Sequence, residues 1–201
     1  MKINDDIELI DNTMANAYYL KIHDLNILVD AGTKGSGKKI IKFFENEKIK
    51  PDIVMITHYH PDHIGGLKEI YDKYQPKIYV PDGEIDAIKG TRKISGASTM
   101  SKFISFIIKT EKVDNVISVI NLDIHDIEHY NTPGHTVDSN SYILKKENII
   151  FSGDAIISKN GKPYINKLFS WNMDLATDSM TELLNLKPEL ILPGHGNDIR
   201  P

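Results

Sequence analysis

His58-Tyr59-His60-Pro61-Asp62-His63 packs three imidazoles and a carboxylate into six residues, directly after the apolar run Asp52–Thr57 (DIVMIT). That run is short and bounded by turn signals, so it reads as a strand buried on both faces. The hexapeptide therefore sits at the C-terminal end of a strand, where open α/β sheets place their sites. Imidazole and carboxylate at this density suit a borderline metal such as zinc, with iron and manganese as alternatives. The short loop constrains the angles of its four donors, so they do not all reach one tetrahedral ion. Two ions sharing the loop is the natural reading.

Three further candidate ligands lie outward along the chain, each just after a strand-like run and each beside glycine. His135 lies in Thr132-Pro133-Gly134-His135-Thr136, Asp154 in Ile150-Phe151-Ser152-Gly153-Asp154, and His195 in Leu192-Pro193-Gly194-His195-Gly196. Glycine lets the backbone turn sharply and brings the side chain close to an ion. Strand ends in one sheet lie side by side, so these residues are placed to converge on the His58–His63 loop.

The remaining pattern alternates strands and helices. Strands are predicted at 17–22, 26–30, 77–80, 116–120, 127–132, 140–145, 149–152 and 190–192, and helices at about 38–48, 65–74 and 174–186. Residues 84–115 break the rhythm. Within them Met100, Phe103, Ile104, Ile107 and Ile108 form one apolar helix face. This stretch is predicted to be a helical insertion that caps the site, with a homodimer contact as the other role. With no internal repeat or linker, residues 1–201 read as one α/β or α+β domain.

Composition narrows the class. The 201 residues carry a net charge of −4 and no cysteine. Disulfides, thiolate nucleophiles and cysteine-ligated zinc are excluded. A mildly acidic chain is a poor partner for nucleic acid. The N-terminus lacks the apolar core of a secretory signal, and no run of about 18 apolar residues exists. A cytoplasmic protein with no membrane partner is expected.

The motifs HxHxDH, TPGHT, SGD and PGHG, in that order, resemble those of the metallo-β-lactamase-fold hydrolases, and most closely the glyoxalase II-like branch. Asp30 in Leu28-Val29-Asp30-Ala31-Gly32 matches the first motif of that family, so the resemblance spans residues 30 to 196. It implies a four-layer αββα sandwich of two mixed sheets with a dinuclear site at one sheet edge. It also implies a ligand set: His58, His60 and His135 for one ion, Asp62, His63 and His195 for the other, and Asp154 bridging. Asp30 would stand behind the ligands, orienting a histidine or holding a ligand loop. The expected cofactors are two divalent ions, zinc foremost. The expected chemistry is attack by a metal-bridging hydroxide, centred on His58, His60, Asp62 and His63, with Asp62 accepting a proton.

Other signals compete. Gly32–Lys39 fits G-x4-G-K but ends in Lys39, where a phosphate-binding loop needs Ser or Thr. A glycine-rich turn at the mouth of the site is the simpler reading. His23, His125 and His129 lie outside the motifs and are expected at the surface or behind the ligands. Tyr59, Tyr164, Lys167 and Trp171 are candidate substrate contacts, since they lie between ligands or in the segment after Asp154.

The expected reaction is hydrolysis of a small ester-like acyl bond, a thioester or a lactone. The alternatives are phosphodiester or RNA cleavage on the same ligands, and a persulfide dioxygenase binding one iron. Flavodiiron oxidoreductases fit less well, because their first motif usually has Glu where His60 stands. The chain ends six residues after His195. The glutathione-binding helical domain of glyoxalase II is therefore expected to be absent, which counts against glutathione thioesters.

Overall fold

The computed structural model describes residues 1–11, 13–91 and 110–201. Six strands form the first sheet in spatial order: β1 (Ile7–Ile10), β2 (Ala17–Ile22), β3 (Leu25–Val29), β4 (Ile53–Met55), β5 (Lys77–Val80) and β6 (Ile117–Ser118). The first three pair antiparallel and the last four run parallel. The second sheet holds β7 (Ile127–Asn131), β8 (Asn140–Leu144), β9 (Ile149–Gly153) and β12 (Leu190–Pro193), in the order β12-β9-β8-β7. Here β12 runs parallel to β9 and the other pairs are antiparallel. A hairpin of β10 (Ile157–Lys159) and β11 (Lys162–Tyr164) stands apart.

Side chains of a strand alternate between faces, and here both faces are buried. Ile27, Val29, Ile53 and Met55 meet Tyr142, Phe151, Leu190 and Leu192 in the core between the sheets. On the outer side of the first sheet, Leu28, Val54 and Ile78 pack against Ile40 and Phe44 of α1 (Ser36–Asn46) and Leu67 and Ile70 of α3 (Leu67–Tyr74). On the outer side of the second, Ile143, Ile150 and Ile191 pack against Leu183 of α5 (Met173–Asn185). The result is a four-layer αββα sandwich, as the motif resemblance implies. Runs such as DIVMIT are apolar throughout because neither face of their strand sees water.

Two short helices complete the order: α2 (Pro61–Ile64), inside the hexapeptide loop, and α4 (Ile85–Ile88), which follows a 3-10 turn at Asp82–Glu84. The predicted apolar face at 100–108 lies outside the described residues. The hairpin at 157–164 falls in the segment after Asp154, where the sequence gives no element, and the helical turn at 61–64 lies within what the sequence reads as a loop. Each is too short for hydrophobic periodicity to register. Among the described residues, no helix is long and apolar enough to cross a membrane.

Candidate metal centre

Asp30 follows β3, His58–His63 follow β4, Asp154 follows β9 and His195 follows β12. His135 lies on the turn between β7 and β8. All seven candidate ligands meet at this one edge of the sandwich. Three sets of donor atoms each lie within 4.8 Å of one another: His58, His60 and His135; His58, His63 and Asp154; and Asp62, His63 and His195.

In the first set His60 Nδ1 is 3.1 Å from His58 Nε2 and 2.8 Å from His135 Nε2, so three ring nitrogens face one point. Burial and the neighbouring histidines hold His58 well below its ordinary pKa and His60 at about 3. His135 is lowered mainly by burial. The rings are neutral at pH 7 and present lone pairs, the state a metal ligand requires.

The Asp62/His63/His195 set is acid–base paired. His195 Nε2 lies 3.1 Å from Asp62 Oδ2, and both side chains are part-exposed. Burial opposes ionisation of Asp62, yet the His195 hydrogen bond and the His63 charge outweigh it and hold the carboxyl below its usual range. Burial likewise opposes charge on His63, but Asp30 and Asp154 raise it well above the usual histidine value. His195 is also raised, by Asp62 and Asp154 against burial.

Asp154 stands between the sets. Its Oδ2 is 3.4 Å from His135 Nε2 and 3.6 Å from His195 Nε2, and its Oδ1 is 3.4 Å from His63 Nε2. The surrounding histidines overcome burial and keep it ionised far below the usual carboxylate range. His63 Nε2 and Asp154 Oδ1 are buried without a hydrogen-bond partner. Orphaned buried donors and acceptors are costly in a native fold, and a divalent cation satisfies both atoms. The residues present therefore fit the ions that the motifs imply.

Asp30 lies behind the candidate ligands, in contact with His63 and Thr57. It takes a left-handed φ of 60°, which Asp tolerates better than most residues. Its Oδ1 accepts from Thr57 N–H at 2.8 Å, and its Oδ2 accepts from Thr57 Oγ1 at 2.8 Å and from His63 Nδ1 at 2.7 Å. Thr57 Oγ1 in turn accepts from His58 Nδ1 at 3.0 Å. These bonds set the tautomers, leaving Nε2 of both rings to face the site.

The His135 turn is docked on the start of α5. Trp171 N–H donates to His135 O and Asn172 N–H to Gly134 O, while Ser179 Oγ donates to Pro133 O at 2.7 Å. Gly134 has φ 126°, and a Cβ there would overlap the backbone of Ala176, so only glycine lets this turn approach the helix.

A cavity of about 580 Å³ opens over the donors. Besides His60, Asp62, His135, Asp154 and His195 its wall contains Met14, Thr33, Lys34, Pro61, Ile157, Asn166 and Phe169. The glycine-rich turn thus lies at the mouth, as expected, and contributes Thr33 and Lys34. The four proposed substrate contacts are not in the wall. Tyr59 packs behind the loop with the outer apolar cluster. Tyr164 lies under the Lys159 ammonium on the hairpin, and Lys167 and Trp171 are exposed. The reason is a helical turn, in which the N–H groups of Phe169 and Ser170 both donate to Asn166 O. Residues three apart then share a face, so Asn166 and Phe169 turn inward while Lys167 and Leu168 point outward.

His23 and His125 are exposed and bracket Asp126, at 2.8 and 3.1 Å. His129 Nδ1 lies 3.3 Å from Asn140 Oδ1. None of the three belongs to the donor sets.

Sequence reasoning missed Glu84. It is fully buried; burial pushes its carboxyl up, against the hydrogen bonds it accepts from two of the ligand loops, which favour the ionised form. No motif marks it; a lone Glu in an irregular stretch carries no periodic signal.

The opposed pKa shifts predict a pH order. Charge on His63 and His195 favours the metal-free fold at low pH, an advantage lost as pH rises through their raised values. Metal needs both rings unprotonated. As pH falls through those raised values, affinity at the Asp62/His63/His195 set should therefore fall steeply, while that at His58/His60/His135, whose rings stay neutral to lower pH, should hold. Bound metal after equilibrium dialysis at graded pH reads this directly. Parallel loss from both sets would contradict it.

Residues 10–195 match the family model described as the Metallo-beta-lactamase superfamily. The chain is 29% identical over 189 residues to the probable metallo-hydrolase YqgX of Bacillus subtilis, covering 90% of this chain and 85% of that protein. It is 29% identical over 164 residues to the hydroxyacylglutathione hydrolase of Shewanella loihica, covering 80% of this chain and 54% of that protein. Among solved structures, the B3 metallo-beta-lactamase BLEG-1 matches with a TM-score of 0.77 and 25% identity, over 96% of this chain and 93% of that one.

Proposed function

The chain belongs to the metallo-beta-lactamase superfamily, and on that footing we propose that it is a dinuclear metal-dependent hydrolase of a small ester-like acyl substrate, a thioester or a lactone. The observation that carries the reading is Asp154, whose two carboxylate oxygens face His63 on one side and His135 and His195 on the other. His58, His60 and His135 would hold one ion and Asp62, His63 and His195 the other, with Asp154 shared. The nitrogen and oxygen donors suit zinc, with iron and manganese as the alternatives.

Divalent ions bound there supply Lewis acidity and bring the pKa of a coordinated water toward neutrality. The chain's own residues do the rest. Asp62 is part-exposed in the cavity wall beside His195, and by position it is the group placed to take up a proton. Met14, Pro61, Ile157 and Phe169 give the wall its apolar surface, which suits an acyl chain and excludes water. Lys34 is the single Lys or Arg among the described wall residues. One ammonium serves a carboxylate on a small substrate better than a polyanionic backbone, which calls for many cationic contacts. The likeness to a hydroxyacylglutathione hydrolase points to the same bond class.

The test is turnover of the zinc-loaded protein on three panels: acyl thioesters, lactones and aryl phosphodiesters. The reading expects thioesters or lactones to be turned over best. Faster cleavage of the phosphodiesters would replace it with the nuclease-type reading.

A further inference from the structure

The four imidazoles around the hexapeptide and His135 are aimed in two different ways. His58 and His63 are fixed through their own Nδ1 atoms, on Thr57 Oγ1 and Asp30 Oδ2. His60 Nε2 and His135 Nδ1, the ring atoms not turned toward the shared point, are buried with no hydrogen-bond partner. Among the described residues, no side chain therefore steers these two rings from behind. Their aim depends on where the backbone of each loop is held.

Glu84 holds both backbones. Its Oε2 accepts from the N–H of Tyr59, the residue between His58 and His60, at 2.7 Å. Its Oε1 accepts from the hydroxyl of Thr136, the residue after His135, and from Asp138 N–H at 3.4 Å. The neighbouring Gly83 N–H donates to Asp138 Oδ2 at 2.7 Å, and Asp138 Oδ1 accepts from Asn131 Nδ2 at 2.6 Å. The corner between β5 and α4 is thereby clasped to the end of β7 and to the turn that carries His135. A fully buried carboxylate is costly unless its hydrogen bonds compensate, and here every hydrogen bond it accepts comes from one of these two loops.

We propose that Glu84 is a positioning residue that keeps the His58–His60 loop and the His135 turn in register, so that three ring nitrogens meet at one metal ion. The inference rests on the reading above that this trio takes a metal. The carboxylate touches no ligand ring. It acts through Tyr59 and Thr136, and it reaches only one of the two donor sets: the backbone of neither Asp62 nor His195 is among its partners.

The experiment is a zinc titration of the metal-free full chain against a chelator, comparing wild type with Glu84→Gln and Thr136→Val. Wild type should bind in two steps. His135→Ala and His195→Ala identify which step belongs to which set. Glu84→Gln keeps the shape but turns one acceptor into a donor facing a donor, and Thr136→Val cuts only the arm to the His135 turn. Both should weaken the His58/His60/His135 step, Glu84→Gln by about 10–100-fold as for other groups that orient ligands, and leave the Asp62/His63/His195 step within about twofold. A merely structural role would instead lower the Tm of the metal-free chain and weaken both steps together, which would overturn the assignment. So would two unchanged steps in both variants. If Glu84→Gln does not fold, Thr136→Val decides by the same criterion. A wild type that binds no zinc overturns the metal reading itself, whereas normal wild-type binding with unaffected variants overturns the role of Glu84 alone.

Discussion

Replacing Asp154 with alanine leaves the protein with at most one tightly held metal ion per chain and lowers turnover by more than the roughly 10–100-fold typical of losing a group that only orients a ligand. Among the described residues, Asp154 is the one donor whose two oxygens face residues of both sets, at 3.4 to 3.6 Å from His63, His135 and His195. Without it, raised-pKa histidines lose the carboxylate that balances them, and neither trio keeps its common partner. Metal analysis and turnover on the same preparation check the result together. Full occupancy with wild-type turnover would show that the two sets do not share a bridge.

The second large effect comes from a residue with no side chain to offer a metal. A Cβ on Gly194 would overlap Asp154 Oδ1 and stand 2.7 Å from His63 Cε1. The backbone cannot step aside easily, because Gly194 N–H donates to Gly153 O at 2.8 Å and Gly194 O accepts from Asn16 N–H at 2.7 Å. In Gly194→Ala the ligands move instead. Overpacking of this kind costs about 1–3 kcal/mol, which a domain of this size can absorb and remain folded. Metal content and turnover should fall nearly as far as in Asp154→Ala, with the far-ultraviolet circular dichroism of wild type. A variant with full metal content would show that this close approach does not constrain the centre.

Strands and helices were legible in the sequence because the physics behind them is periodic, whereas the four-layer order came from the motif resemblance. Strands such as 53–55 and 149–153 are covered on both sides, so their continuous apolar runs stand out. The α1 and α5 helices follow apolar spacing onto a single buried face. The candidate ligands were legible because they come in dense or glycine-flanked groups at strand ends. What escaped is what depends on contacts between distant segments. Glu84 matters through Tyr59 and Thr136, 25 and 52 residues away. The cavity wall is set by a single helical turn that brings in Asn166 and Phe169 in place of Lys167 and Trp171. No local pattern announces which side of such a turn faces a cavity.

Whether two ions occupy this edge of the sandwich is decided by elemental analysis of protein purified without added metal. About two divalent ions per chain, zinc foremost, should be found, lost on chelation together with turnover and restored together on refilling. A single iron per chain with oxygen uptake, or a fully active protein without metal, would contradict it.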